Sequence, residues 1–249
     1  MNIVERRDKI IEYIKPFNAV STKELLDHFQ DSPATIRRDL VFLEEQGIIA
    51  RSRGYVKYIL PAQVGEISFT ASDYAIAKVA ASLIPQNVIV CLDSGIEAIA
   101  LANQLQERTD LTIITNSILI MKTMATTNVE TYGIGGKVAP RQDCLLGPDA
   151  EKYIGNMHVQ YLFLTTTGIR GMSGLSCVTP EQASLKSAFI RASEKRVLLA
   201  EAVKFEKDAV RQFASFEEID TIVVDRPLKS QELVRHLERI GTRLIVAEP

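Results

Sequence analysis

Ser32-Pro33-Ala34-Thr35-Ile36-Arg37-Arg38-Asp39-Leu40, running on to Leu43 and closing at Gly47, reads as a short helix with one apolar face and one basic face. Ser32 is a good N-cap, Pro33 suits the first helical position and Gly47 suits the residue just past the end. Ile36, Leu40 and Leu43 recur at spacings of four and three, so one stripe is buried while Arg37 and Arg38 lie off it. Those two side chains are left free to meet phosphates or base edges.

The residues before this helix supply the means to position it. Ile3, Ile10, Ile11 and Ile14 mark a first amphipathic helix, ended by the Lys15-Pro16-Phe17-Asn18 turn. Val20-Ser21-Thr22-Lys23-Glu24 has capping-box spacing, with Ser21 set to accept from the Glu24 amide and the Glu24 side chain to reach back. Leu25, Leu26 and Phe29 form the buried face of the second helix. Three short helices with a basic third describe a helix-turn-helix. Residues Ile48 to Tyr58 then alternate as two short strands with a turn near Arg53-Gly54, which makes the unit a winged helix. Arg51, Arg53 and Lys57 give the wing three cations with no acidic residue between them, suited to rest on the sugar-phosphate backbone.

A capped helix bearing Arg-Arg also occurs on ordinary protein surfaces; the order and spacing of the whole set favours nucleic-acid contact. The segment from Arg6 to Lys57 resembles the winged-helix domain of DeoR-type bacterial transcriptional regulators. The carrying residues are Ser32, Thr35, Ile36, Arg37, Arg38, Asp39, Leu40, Leu43, Glu44 and Gly47. The wing departs from the family's His-Gly-Gly pattern, reading Arg53-Gly54-Tyr55. Candidate DNA-binding residues are Ser32, Thr35, Arg37, Arg38, Arg51, Arg53 and Lys57.

At 249 residues the chain is long enough for this module and a larger domain. The expected division is a DNA-binding domain over 1–58, a linker over 59–70 and an effector-sensing and oligomerisation domain over 71–249. With 46% hydrophobic and 24% charged residues the composition is that of a globular protein, and no apolar run approaches the ~20 residues that cross a bilayer. The N-terminal residues lack an apolar signal core, so a cytoplasmic location without membrane association is expected. A net charge of −2 confines any DNA affinity to a local basic surface. Cys91, Cys144 and Cys177 are widely spaced and form no Cys-x-x-Cys pair, and His28, His158 and His236 lack ligand spacing, so neither a metal site nor a cofactor is expected.

Beyond Pro61 to Gly65, helical and strand-like segments alternate. Helices are expected over 71–83, 96–106 and 118–125. Strands are expected over 87–92, 111–114, 129–134, 161–165, 196–200, 221–224 and 243–246. Continuous apolar strands alternating with helices imply a mostly parallel α/β sheet covered on both faces. Ligands of such sheets sit outside the carboxyl ends of the strands, and Asp93-Ser94-Gly95, Asn116-Ser117 and Gly135-Gly136 follow three of them. Amides and hydroxyls there offer donors to an anion, which favours a phosphorylated small molecule.

The segment from about Asp73 to Val246 resembles the sensor domain of the same regulators, a fold similar to ribose-5-phosphate isomerase. The matches are Asp93-Ser94-Gly95, Thr115-Asn116-Ser117, Gly135-Gly136, Arg141, Gly147-Pro148, Lys186 and Lys204-Phe205. The resemblance implies a DNA-binding transcriptional regulator, acting as a repressor of a carbohydrate uptake or catabolism operon and controlled by a sugar phosphate. Its implied partners are double-stranded operator DNA, that effector, and further copies of itself in a homodimer or homotetramer. Candidate effector-binding residues are Asp93, Ser94, Gly95, Asn116, Ser117, Gly135, Gly136, Arg141, Thr167, Lys186 and Lys204. Three departures alter the expected pocket. Ile96-Glu97 stands for two threonines and sets a charge that would repel phosphate, Thr165-Thr166-Thr167 has lost an acid, and Glu201-Ala202-Val203 stands for Asp-Ser-Ser. The alternatives are a sugar-phosphate isomerase or deaminase with an accessory helical domain, for which Glu97 and Glu181 are the conceivable bases, and a ligand-free scaffold.

Overall fold

The computed structural model describes residues 3–14, 17, 20–29, 31–45, 49–52, 54–58, 68–140, 142–169, 171–207 and 209–247. The backbone divides into two compact units, Met1–Ile67 and Ser68–Pro249.

In the first unit, α1 (Ile3–Ile14), α2 (Thr22–His28) and α3 (Pro33–Glu45) precede a hairpin of β2 (Ile49–Ser52) and β3 (Tyr55–Tyr58). Ile10, Ile14, Leu25, Phe29, Ile36, Leu40, Leu43, Ile49 and Val56 close over one another as its core. Both expected caps are present: the Glu24 amide donates to Ser21 Oγ at 3.1 Å and the Thr35 amide to Ser32 Oγ at 3.2 Å. The Glu24 carboxylate accepts from the Tyr13 hydroxyl at 3.3 Å. A two-residue strand, β1 (Val20–Ser21), joins the wing through Val20 opposite Val56, giving the sheet order β1-β3-β2. Two residues are too few to show a period, so this strand left no mark in the sequence pattern.

A clasp of charges sets α3 against α1. Asp39 is 1% exposed, and its two carboxylate oxygens accept from Arg6 Nε at 2.6 Å and Arg7 Nε at 2.8 Å. Arg6 also reaches Asp31 at 3.4 Å, and the Arg7 guanidinium lies 3.6 Å above the Phe42 ring centroid. Sequence reasoning gave Arg6 and Arg7 no part in the fold. A carboxylate so buried is tolerated only because both oxygens are paired.

The second unit carries a seven-stranded parallel sheet. Its chain order is α4 (Ala71–Ser82), β4 (Val88–Leu92), α5 (Ile96–Gln104), β5 (Leu111–Thr115), α6 (Ile118–Met124) and β6 (Glu130–Gly133), then a hairpin of β7 (Lys137–Ala139) and β8 (Cys144–Leu146). There follow α7 (Pro148–Gly155), β9 (Val159–Thr165), β10 (Gly168–Ile169), β11 (Leu175–Cys177), α8 (Pro180–Arg191) and β12 (Ser193–Leu199). The described chain ends through β13 (Arg211–Ala214), β14 (Thr221–Val224), α9 (Gln231–Ile240) and β15 (Arg243–Val246). The sheet order is β15-β14-β12-β9-β4-β5-β6, every pairing parallel. These are the seven strands that the apolar runs mark out. The hairpin β7–β8 and the antiparallel trio β10-β11-β13 were not expected; each strand has two to four residues and a mixed pattern.

The direction of winding across the sheet reverses between β4 and β9. From β4 the chain winds outward to β6, then returns to the other side of β4 and winds outward again to β15, which makes the adjoining carboxyl ends of β4 and β9 the topological switch point. Thr70 lies within the expected linker but caps α4, with its hydroxyl accepting from the Asp73 amide and the Asp73 carboxylate taking the Thr70 amide. Of the other linker positions, 59–67 lie outside the described residues. Among the described residues, no helix is long and apolar enough to cross a membrane.

Asp39→Ala leaves the buried Arg6 with only its longer contact to Asp31 and is expected to cost about 3 kcal/mol. Chemical denaturation of the chain, followed by a probe in the first unit, should show that unit's midpoint fall while the second unit's stays in place.

Candidate functional site

The basic face of α3 is open. Arg37 and Arg38 are exposed, and among the described residues neither forms an ion pair. Ser32 Oγ and Thr35 Oγ1 stand 2.8 Å apart at the helix start, on the turn that precedes the two arginines. Val41 and Phe42 carry the exposed surface along the next turn.

The wing differs from expectation. Arg51 is not a free cation: its Nε donates to Glu44 Oε2 at 2.7 Å and its backbone amide to Glu44 Oε1 at 3.2 Å. The acid that sequence reasoning did not see between the wing cations comes from α3. The hairpin register explains this. Arg51 lies opposite Val56, which is buried, so Arg51 starts from the inward face of the wing. Lys57 lies on the other face, exposed and without an ion pair among the described residues, beside Tyr55 at 56% exposure. Tyr55 was missed as a surface contact, although the alternation around Val56 would have placed it with Lys57. Arg53 lies outside the described residues.

At the switch point of the second unit, three expected residues meet. Asp93 follows β4 at 1% exposure, and its Oδ2 accepts from the Thr165 amide at 2.9 Å, the Thr165 hydroxyl at 2.5 Å and the Lys186 ammonium. Lys186, on α8, also donates to the Thr165 carbonyl at 3.0 Å. Burial pushes the Asp93 carboxyl up, but the Lys186 charge and hydrogen bonds from Lys186, Thr165 and Ser94 outweigh it and hold it below the ordinary value. Gly95 is required by contact: a Cβ there would fall 2.2 Å from Thr165 Oγ1 and 2.5 Å from Thr165 Cβ. Thr165, the link among these residues, was recognised in the sequence only as part of a departure.

Glu97 is not a free charge at the strand end. It is fully buried, and Lys204 donates to its Oε1 at 2.5 Å, so this lysine is engaged internally as well. Burial pushes the Glu97 carboxyl up, Lys204 pulls it down without cancelling that, and the charge of Asp73 adds to the rise. Asn116 is buried and fastens β8, its amide nitrogen donating to the Leu145 carbonyl at 3.1 Å while the Leu145 amide donates to the Asn116 carbonyl. Ser117 caps α6, Ser94 lies within reach of the Cys144 thiol, and Thr167 is exposed with its amide bonded to the Ser176 carbonyl. The structure thus joins Asp93, Gly95 and Lys186 through Thr165, and Lys204 to Glu97. It brings none of the remaining expected residues into either cluster by a described side-chain bond, apart from the Ser94 amide on Asp93.

Gly135 and Gly136 lead into a cavity of about 220 Å³ between the β7–β8 hairpin and the first turns of α7 and α8, where Lys137, Gln142, Gly147, Thr179 and Glu181 are among the lining residues. Gly136 has φ 145° and its Cβ position is 2.7 Å from the Leu146 carbonyl, so the turn needs a glycine. Arg141 lies outside the described residues. Cys91, Cys144 and Cys177 are buried free thiols. Among the described residues no group of His, Cys, Asp and Glu has a metal-holding arrangement.

With this geometry in view, the comparisons with known proteins are specific. Residues 6–61 match the model of the DeoR-like helix-turn-helix domain and residues 70–226 that of the DeoR C terminal sensor domain. The chain belongs to the DeoR family of transcriptional regulators. It is 31% identical over 229 residues to the transcriptional repressor AccR of Agrobacterium fabrum, covering 89% of each chain. It is 28% identical over 233 residues to the glycerol-3-phosphate regulon repressor of Escherichia coli K12, covering 91% of this chain and 92% of that one. Among solved structures, ribose 5-phosphate isomerase A of Methanocaldococcus jannaschii aligns at 13% identity with a TM-score of 0.38, over 55% of this chain and 53% of that chain.

In this family member, Gly95→Ala should force Thr165 away from Asp93 and lower the unfolding free energy of the second unit by about 1–3 kcal/mol, read from denaturant titration; Thr165→Ser should not restore it, because the Cβ at position 165 remains in the way. The two buried acids give opposite pH dependence. Asp93, whose folded value is depressed, stabilises above the unfolded value of about 3.9 and loses that contribution as pH falls through the folded value. Glu97, whose folded value is raised, contributes most below about 4.3 and loses its contribution as pH rises through the folded value. Denaturant midpoints across acid pH should therefore fall less on acidification in Asp93→Asn, and fall less on the alkaline side of that window in Glu97→Gln.

Proposed function

We propose that this chain represses a carbohydrate uptake or catabolism operon, and that a phosphorylated sugar or related metabolite controls its hold on operator DNA. The observation that carries this reading is the state of α3. Its back is clasped through Asp39, while Arg37 and Arg38 project with no internal partner among the described residues. Two guanidinium groups so presented can take guanine O6 and N7 or phosphate oxygens in a major groove. A cytoplasmic homodimer or homotetramer supplies two such helices to half-sites ~34 Å or a multiple apart. The DNA-contacting set is Ser32, Thr35, Arg37, Arg38 and Lys57, with Tyr55 beside Lys57.

The effector reading is supported by the glycerol-3-phosphate named for one relative, by the polar strand ends, and by the cavity edged by Lys137 and the first turns of two helices. Such an effector acts through unequal affinity for a form that fits two half-sites and a form that does not. A sugar-phosphate isomerase or deaminase would need a carboxylate or His able to reach the substrate. The geometry favours sensing at the strand ends, since Asp93 and Glu97 are buried against lysines and Thr165-Thr166-Thr167 offers hydroxyls; Glu181, which lines the cavity, is the base that the enzyme reading retains.

In mobility-shift assays Arg37→Ala and Arg38→Ala should each weaken operator binding by about 1–3 kcal/mol, and Lys57→Ala should weaken all duplexes alike while reducing the salt slope by about 1. Unaltered binding in both arginine variants would overturn the regulator reading. Titration with a panel of sugar phosphates should shift thermal stability and operator affinity together; turnover of ribose 5-phosphate would instead favour the enzyme, and no response to any metabolite the scaffold.

A further inference from the structure

We infer that Glu44 is a specificity-determining residue for DNA binding, acting by holding the wing arginine Arg51 away from phosphate. The inference rests on the DNA-binding reading and concerns how that surface limits its own charge. Glu44 sits near the end of α3, and its two oxygens take different parts of one residue. Oε2 accepts from Arg51 Nε at 2.7 Å and lies 2.5 Å from Nη2, while Oε1 accepts the Arg51 backbone amide at 3.2 Å. One carboxylate thus fixes the β2 backbone to α3 and neutralises a guanidinium that is about one-third exposed.

The arrangement is unlike an incidental surface pair, because the backbone hydrogen bond fixes where the wing strand leaves α3. The Arg51 side chain is about one-third exposed, so it can reach a phosphate once Glu44 loses its charge. The Arg51 hydrogen bond holds the Glu44 carboxyl below its ordinary value, so the pair stays charged through the physiological range. Each phosphate that a protein cation neutralises releases counterions and strengthens binding to any sequence. By engaging Arg51, Glu44 restricts the described wing to one unpaired cation, Lys57, and leaves discrimination to Arg37 and Arg38.

The test uses the full chain and a short duplex of mixed sequence, with association constants measured between about 50 and 200 mM salt. In Glu44→Gln, whose amide oxygen can still accept the Arg51 backbone bond, the plot of log K against log salt should steepen by about 0.9 and binding at the low-salt end should tighten roughly threefold. The double variant Glu44→Gln, Arg51→Ala should return to the wild-type slope. Arg51→Gln alone should leave the slope unchanged, an arm that does not depend on how Glu44→Gln folds. An unchanged slope in Glu44→Gln, the same steepening in the double variant (which would mean that Glu44 only repels DNA), or a shallower slope in Arg51→Gln would each overturn the inference. A wild-type chain that shows no salt-dependent binding would instead remove the DNA-binding reading beneath it.

Discussion

A buried carboxylate needs compensating donors, and three acids that take theirs from cations of other elements organise this molecule. Asp39, Asp93 and Glu97 are essentially inaccessible to water, and each is held by a basic side chain from a different element. Desolvation of an isolated carboxylate would cost far more than the net stability of a domain, so each pairing dictates which elements lie together. Asp39 draws α1 onto α3, Asp93 draws α8 onto the end of β4, and Glu97 draws the short 3-10 turn at Ala202–Glu206 onto α5. Exchanging one of these pairs for apolar residues could be neutral, but removing one partner could not.

The same constraint separates the cations that hold the fold from those left for a partner. Arg6, Arg7, Lys186 and Lys204 face inward to acids, and Arg51 is taken up at the surface by Glu44. Arg37, Arg38 and Lys57 remain exposed. A chain with a net charge of −2 can bind a polyanion only through a small surface such as this one. In the sensor unit, the engagement of Lys186 and Lys204 means that an anion reaching either of them must compete with a carboxylate already in place. The cavity edged by Lys137 also carries a carboxylate, Glu181, among its lining residues.

The elements that were legible from sequence are those with a period long enough to read. Short, largely apolar segments mark most strands of the parallel sheet, although β6 reads Glu-Thr-Tyr-Gly, and the three-four spacing of Ile36, Leu40 and Leu43 marks α3. The strands that escaped notice, β1, β7, β8, β10, β11 and β13, have two to four residues and are held by pairing across the chain rather than by local pattern. The charged residues were harder. Arg6 and Arg7 look like any solvated basic pair at a helix start, and nothing local announces that Asp39, 32 or 33 residues away, will be buried between them. Arg51 and Lys57 looked alike in composition, and the hairpin register sends them to opposite faces.

The sequence by itself determined the division into a winged helix and a parallel α/β unit, the recognition helix with its caps, and the polar strand ends, because propensity, capping and hydrophobic period act between residues close along the chain. Tertiary structure decided which charges remain available. That choice depends on which side chains meet across 7 to 107 residues of separation, at Glu44 with Arg51 and at Glu97 with Lys204, and on how fully water is excluded where they meet.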